Sequence, residues 1–202
     1  LASQGRGAES FSAVERLCYT GTRGMGALEF APVRGPKPRK ATTLAVDALV
    51  QLASEVLTHR ADVQGHFHGV DKAKALRDIL SVGTSAGGAR AKAVIAWNPD
   101  TNEVRSGQIA AGDGFEFWLL KFDGVAGNKD KELDDPQGYG AIEYAYSLMA
   151  ADAGITMSEC RLMEENGRRH FMTKRFDRLP GGAKLHMQSL CALAHFDFNQ
   201  AG

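Results

Sequence analysis

No apolar run in the 202 residues approaches the roughly 20 that a membrane-spanning helix needs, because Asp, Lys or Gly interrupts each candidate within a few positions. The expectation is a soluble protein with no membrane partner. Charge of one sign is lacking too: Lys plus Arg and Asp plus Glu both count 24, for a formal net charge of +0. That balance excludes a global attraction for nucleic acid or an anionic membrane, so any such partner must use a local patch. Cysteine is scarce. Cys18, Cys160 and Cys191 are odd in number and none belongs to a Cys-x-x-Cys pair, which fits buried thiols in a reducing cytoplasm. The opening Leu1-Ala2-Ser3-Gln4-Gly5-Arg6 has neither Met nor an apolar signal core, and reads as the edge of a fragment. A metal shell is not evident. His66 and His68 can share one face of an extended segment, but no carboxylate or Cys pair stands nearby to complete coordination, so the segment reads as a loop.

What is present is globular: 44% hydrophobic and 24% charged residues suffice to bury a core in one large domain or two small ones. Residues 12–31 read as a short helical start, an extended Leu17-Cys18-Tyr19, a turn from Gly21 to Gly26, and an extended Ala27-Leu28-Glu29-Phe30. Residues 1–34 are thus expected to be the remnant of a small β-containing subdomain. The stretch Gly35-Pro36-Lys37-Pro38-Arg39-Lys40 reads as a stiff, solvated linker rather than a DNA-binding patch. Thr42 and Thr43 are placed to cap a helix carrying Leu44, Ala48, Leu49, Leu52, Val56 and Leu57 at helical spacing. A second helix over 71–80 completes a helical connector spanning 41–80.

The pattern then becomes strand-rich. Residues 91–97, 104–110 and 115–122, separated by turns at Asn98-Pro99-Asp100 and Gly112 to Gly114, predict three antiparallel strands. A polar loop leads to a helix over 139–153 with Ile142, Ala145, Tyr146 and Met149 on one face, ended by Gly154. Residues 159–163 and 170–176 flank Asn166-Gly167, a strong hairpin signal. The order β-β-β-α-β-β, with a glycine-rich turn before the first strand, is the plan of a protein-kinase N-lobe. The fold class is therefore α+β: a small β-containing N-terminal subdomain plus a kinase-like N-lobe in which an antiparallel sheet packs a helix.

The segment Gly83-Thr84-Ser85-Ala86-Gly87-Gly88-Ala89-Arg90-Ala91-Lys92 offers backbone N–H groups with little side-chain obstruction, followed by two cations, as phosphate cradles do. It is not a Walker A loop, because Gly-x-x-x-x-Gly-Lys-Ser/Thr is absent and a strand follows. Taken alone it serves equally well as an interdomain turn. Lys121 lies in the apolar run Phe115 to Phe122, where an inward ammonium needs an anionic partner. In kinases such a third-strand lysine holds the α and β phosphates and a glutamate from the next helix steadies it; Glu143 stands on that helix.

With these residues in hand, the chain resembles the HipA family of type II toxin–antitoxin kinases. The resemblance rests on Arg23-Gly24-Met25-Gly26-Ala27-Leu28, Ser85 to Lys92, Trp118-Leu119-Leu120-Lys121-Phe122, Lys174-Arg175-Phe176-Asp177-Arg178 and Leu185-His186-Met187-Gln188-Ser189-Leu190, which span nearly the whole chain in the family's order. It implies that Gly87, Gly88, Ala89, Arg90, Ala91 and Lys92 form the ATP loop and that Lys121, steadied by Glu143, binds phosphate. Lys174, Arg175 and Phe176 become the hinge that meets adenine through backbone groups. Ser85 matches the family's autophosphorylated serine, whose phosphate places nearly two negative charges beside the site of an anionic nucleotide.

The resemblance also divides the chain into a kinase-like N-lobe over 81–180 and the start of a C-lobe over 181–202. In the family the catalytic Asp and the Mg²⁺ ligands lie beyond the His186 helix, so the chain is expected not to transfer phosphate alone. Lys174 stands where the family's hinge often begins with an acidic residue, so only its backbone role carries over. The implied cofactors are ATP and Mg²⁺. The implied partners are a HipB-like helix-turn-helix antitoxin, operator DNA through that antitoxin, and a protein substrate of the aminoacyl-tRNA synthetase kind. A second reading makes the chain a corepressor module that docks a DNA-bound antitoxin.

Overall fold

The computed structural model describes residues 10–35, 43–58, 90–125 and 137–197. The ATP-loop residues Gly87, Gly88 and Ala89, together with Ser85, His66, His68 and the helix expected over 71–80, lie outside the described residues.

Five strands form one antiparallel sheet: β1 (Lys92–Trp97), β2 (Val104–Ser106), β3 (Glu116–Lys121), β4 (Cys160–Glu165) and β5 (Arg168–Lys174), in the order β2-β1-β3-β5-β4. The connections explain the neighbours. Asn166 and Gly167 both have positive φ, 45° and 76°, the requirement of a two-residue hairpin turn whose twist matches its strands, and Glu165 accordingly pairs with Arg168. The expected β2 continued to residue 110, but it ends at Ser106. At Gly107 the chain crosses so close to β1 that a Cβ would sit 2.6 Å from the Ile95 carbonyl, and the ladder stops there.

Side-chain alternation gives the sheet two different faces. Ala93, Ile95, Trp118, Leu120, Met163 and Met172 point to one side and form the main core with Leu44, Val46, Leu49 and Val50 of the segment that leads into and begins α2 (Val46–Thr58). Trp118, Ile95, Leu120 and Met172 are all but fully buried, each stabilising by about 1.5–3 kcal/mol relative to exposure. Lys92, Leu119, Lys121, Phe171 and Thr173 point to the other side, which the registers Lys92↔Lys121 and Lys121↔Phe171 place together. Helix α3 (Tyr139–Asp152) contacts β4 and β5.

Three local expectations are corrected. Leu17, Cys18 and Tyr19 are helical, inside α1 (Ala13–Thr20), whose Ser12 and Glu15 make a reciprocal capping box; that cap outweighs the apolar triplet. No strand forms at Ala27 to Phe30. Thr43 does not cap α2 but bridges Arg105, while Leu44 N–H donates to the Val104 carbonyl at 2.8 Å, so the segment first lies along β2. The apolar face of α3 is turned outward: Ile142, Tyr146 and Met149 are exposed, and Gly140, Glu143 and Ser147, at helical spacing, face the sheet. Gly140 makes that contact possible, since a Cβ there would lie 1.9 Å from the Arg169 carbonyl oxygen. A short α4 (Leu190–Leu193), capped by Ser189, closes the described chain.

Candidate functional site

Lys121 is the last residue of β3, and its Nζ lies 2.6 Å from Glu143 Oε2 on α3. The ion pair expected from the sequence is present, with both side chains about one-quarter to one-third exposed. The lysine is thus inward but reachable. Directly across the strand pair stands Lys92, 6% exposed. Burial, the Lys121 charge next, push the Lys92 ammonium below its ordinary pKa, and the Glu143 carboxylate pulls the other way. Like charges opposite one another on neighbouring strands repel. The Glu143 carboxylate thus pairs with Lys121 and also acts on the Lys92 ammonium on this face of the sheet. Arg90, just ahead of β1, lies with its guanidinium 3.6 Å from the centre of the Tyr139 ring at the start of α3, and the Ala91 carbonyl accepts from Phe122 N–H at 3.1 Å.

The segment expected to form the hinge divides into three behaviours. Lys174 ends β5 and pairs with Glu116 at 2.5 Å and Glu159 at 3.4 Å, so its ammonium is raised in pKa although burial opposes this. Arg175 N–H donates to the Phe117 carbonyl at 2.9 Å, continuing the ladder by one bond, while its side chain turns inside the protein. Phe176 is 62% exposed.

What the sequence reading left unassigned is Asp177. Its carboxylate is 1% exposed and receives Arg175 Nε at 2.8 Å, Arg175 Nη2 at 2.6 Å, Arg178 Nη1 at 2.7 Å and the backbone N–H of Gly26 at 2.7 Å. Burial works to raise its pKa, but the hydrogen bonds from Arg175 and Gly26 and the two guanidinium charges hold it below the usual carboxylate value. Arg178 also donates to the carbonyls of Gly24 and Gly26 at 3.1 Å each, and Lys184 ties Thr22 and Glu29 into the same knot. The Arg-Gly-Met-Gly segment is thereby fastened to the stretch that follows β5. Part of the signal was in the sequence: a carboxylate between two arginines just past the end of a strand, with a glycine-rich segment offering bare backbone groups elsewhere.

A family model described as the HipA-like C-terminal domain matches residues 84–201, more than half of the chain. The chain belongs to this HipA-like family. Among solved structures it is similar to HipA of Shewanella oneidensis MR-1, in a structure titled as the toxin–antitoxin system HipA, HipB and its operator DNA complex, with a TM-score of 0.54 and 17% sequence identity. The match covers 97% of this chain and 40% of that one, so the HipA-like chain spans well under half the length of the relative. The likeness is one of fold, and it places the α+β sheet and helix in a HipA-like architecture. No curated protein matches the chain. No helix among the described residues is long and apolar enough to cross a membrane.

Proposed function

We propose that the chain is the ATP-binding part of a HipA-like serine/threonine protein kinase, a toxin that phosphorylates itself and a protein substrate. The observation that carries this reading is the ion pair of Lys121 on β3 with Glu143 on α3 at 2.6 Å, with Lys92 in register across the neighbouring strand. The fit is chemical, since ammonium groups on this face of the sheet are the donors that phosphate oxygens accept from. Bound ATP would supply the transferable γ-phosphoryl group. This chain's residues would neutralise and orient the phosphates through Lys121 and Lys92, steady Lys121 through Glu143, and meet adenine through backbone groups of Lys174, Arg175 and Phe176. Mg²⁺ would be held by residues of the family's catalytic lobe, which in the family lie beyond the His186 helix. Ser85 is the proposed autophosphorylation site, where a phosphate would compete with the nucleotide.

The solved relative is described in complex with HipB and operator DNA. By analogy we extend a helix-turn-helix antitoxin to this chain's partners, with operator DNA reached through it and an aminoacyl-tRNA synthetase as the kind of protein substrate. The test is calorimetric titration of ATP and Mg²⁺ into the full-length protein and into Lys121→Ala. The variant should lose roughly 10²–10³-fold in phosphoryl transfer, with weakened nucleotide binding. Equal ATP affinity in both proteins would remove the kinase reading and leave antitoxin docking as the chain's role.

A further inference from the structure

Helix α3 carries Glu143 but no cap of its own: its N-cap is Gly138, with φ 119° and no side chain to bond the first N–H groups. The missing acceptor comes from elsewhere. Asp123, two residues beyond Lys121, takes Gly138 N–H at 2.9 Å and Gly140 N–H at 3.4 Å on Oδ1, and Arg169 N–H at 3.4 Å on Oδ2. One carboxylate therefore joins the end of β3, the start of α3 and the backbone of β5, at the positive end of the helix dipole. Asp123 is itself held. Its N–H donates to Nδ1 of His170 at 2.9 Å, and His170 is fully buried with Phe122 edge-on at 5.9 Å. An Nδ1 that accepts is unprotonated, so the neutral ring carries its proton on Nε2, which faces Glu165 Oε2 at 3.6 Å.

Glu143 follows Gly140 by three residues, less than one helical turn. A tilt of the first turn thus moves the carboxylate that meets Lys121. Gly140 sets how near the helix comes to β5, and Asp123 sets where along β5 it begins. We propose that Asp123 and His170 are positioning residues that seat the first turn of α3 so that Glu143 meets Lys121, making the readiness of the lysine for phosphate depend on a buried imidazole on β5. This rests on reading Lys121 as the phosphate-binding lysine.

The test uses the full-length protein with Asp123→Ala, His170→Leu and His170→Asn, since the Asn carbonyl oxygen can accept where Nδ1 does. Three quantities are read: the His170 tautomer by ¹⁵N NMR, amide hydrogen exchange at 138–145, and ATP affinity by calorimetry. The wild type should show the Nε2–H tautomer. Asp123→Ala and His170→Leu should speed exchange in the first turn of α3 and weaken ATP binding, each by roughly tenfold, with His170→Asn restoring most of both. An Nδ1–H tautomer in the wild type overturns the proposal even if the Leu variant does not fold. So does a folded Leu variant with wild-type exchange, or an Asn variant no better than Leu. If instead the wild type and Lys121→Ala bind ATP equally, the phosphate reading has failed, while exchange and tautomer still decide whether these residues seat the helix.

Discussion

Replacing Asp177 with Ala leaves two guanidinium groups, with side chains 3% and 5% exposed, facing each other without the carboxylate that both bond, and with only the Glu29 charge still acting on Arg178. It also strips the Gly26 N–H of its acceptor. Removing one partner of a buried, hydrogen-bonded ion pair costs about 3–5 kcal/mol, because the remaining charge is left desolvated. That is a large part of the roughly 5–15 kcal/mol that stabilises a typical domain. The pair Arg161 and Glu159 is the control, since its side chains are 48% and 40% exposed and an exposed pair contributes about 0.2–1 kcal/mol. In urea unfolding, with a slope of roughly 2 kcal/mol per molar, Asp177→Ala should lower the midpoint by about 1.5–2.5 M and Arg161→Ala by no more than about 0.5 M. Asp177→Asn, which keeps an acceptor for Gly26, should fall between them. Equal small shifts for Asp177→Ala and Arg161→Ala would refute the reasoning. The pH response has a fixed sign: because the folded-state pKa of Asp177 lies below its ordinary value of 3.8, its contribution is complete above that value and is lost as pH falls through the lower one.

Gly140→Ala should destabilise the protein although Ala raises intrinsic helix propensity by about 1 kcal/mol, because the new Cβ would meet the Arg169 carbonyl at 1.9 Å; a raised Tm would show that α3 does not press on β5 as described. His170 is pushed below its ordinary pKa of 6.5 by burial first and by Arg168, against the pull of the Glu165 and Asp123 carboxylates. Its folded form therefore resists protonation. Stability should be complete above about pH 6.5 and decline as pH falls through the lower folded-state value, and His170→Asn should remove that portion of the decline in a pH series of urea midpoints.

The sheet was legible because its determinants are local. Asn166-Gly167 fixes a hairpin without help from distant residues, and the apolar runs around Ile95 and Trp118 announce buried strands. The pairing of Lys121 with Glu143 was legible because a cation in an apolar strand demands a carboxylate and the kinase plan puts one on the next helix. Which face of helix α3 meets the sheet was not legible: Ile142, Tyr146 and Met149 share a face, but the sheet accepts only a close, small-residue face through Gly140 and Ser147. Thr43 was misread because a capping hydroxyl and an edge-strand hydroxyl look alike without the neighbouring β2. The role of Asp177 was only partly legible: its two arginines are neighbours in sequence, but the Gly26 N–H is a backbone group 151 residues away, which leaves no trace in residue type.

The knot around Asp177 joins residues 151 positions apart, and this orders events during synthesis. The Arg23 to Gly26 segment leaves the ribosome first, but its acceptor and donors on Asp177 and Arg178 do not yet exist. At about 5–20 residues per second the segment waits roughly 8 to 30 s before it can dock. The β4–β5 hairpin, whose contacts are local, can close within microseconds of emerging. The Arg23 to Gly26 segment is thus made well before its partners and is among the last parts put in place, and a chain interrupted before residue 177 would carry it unfastened.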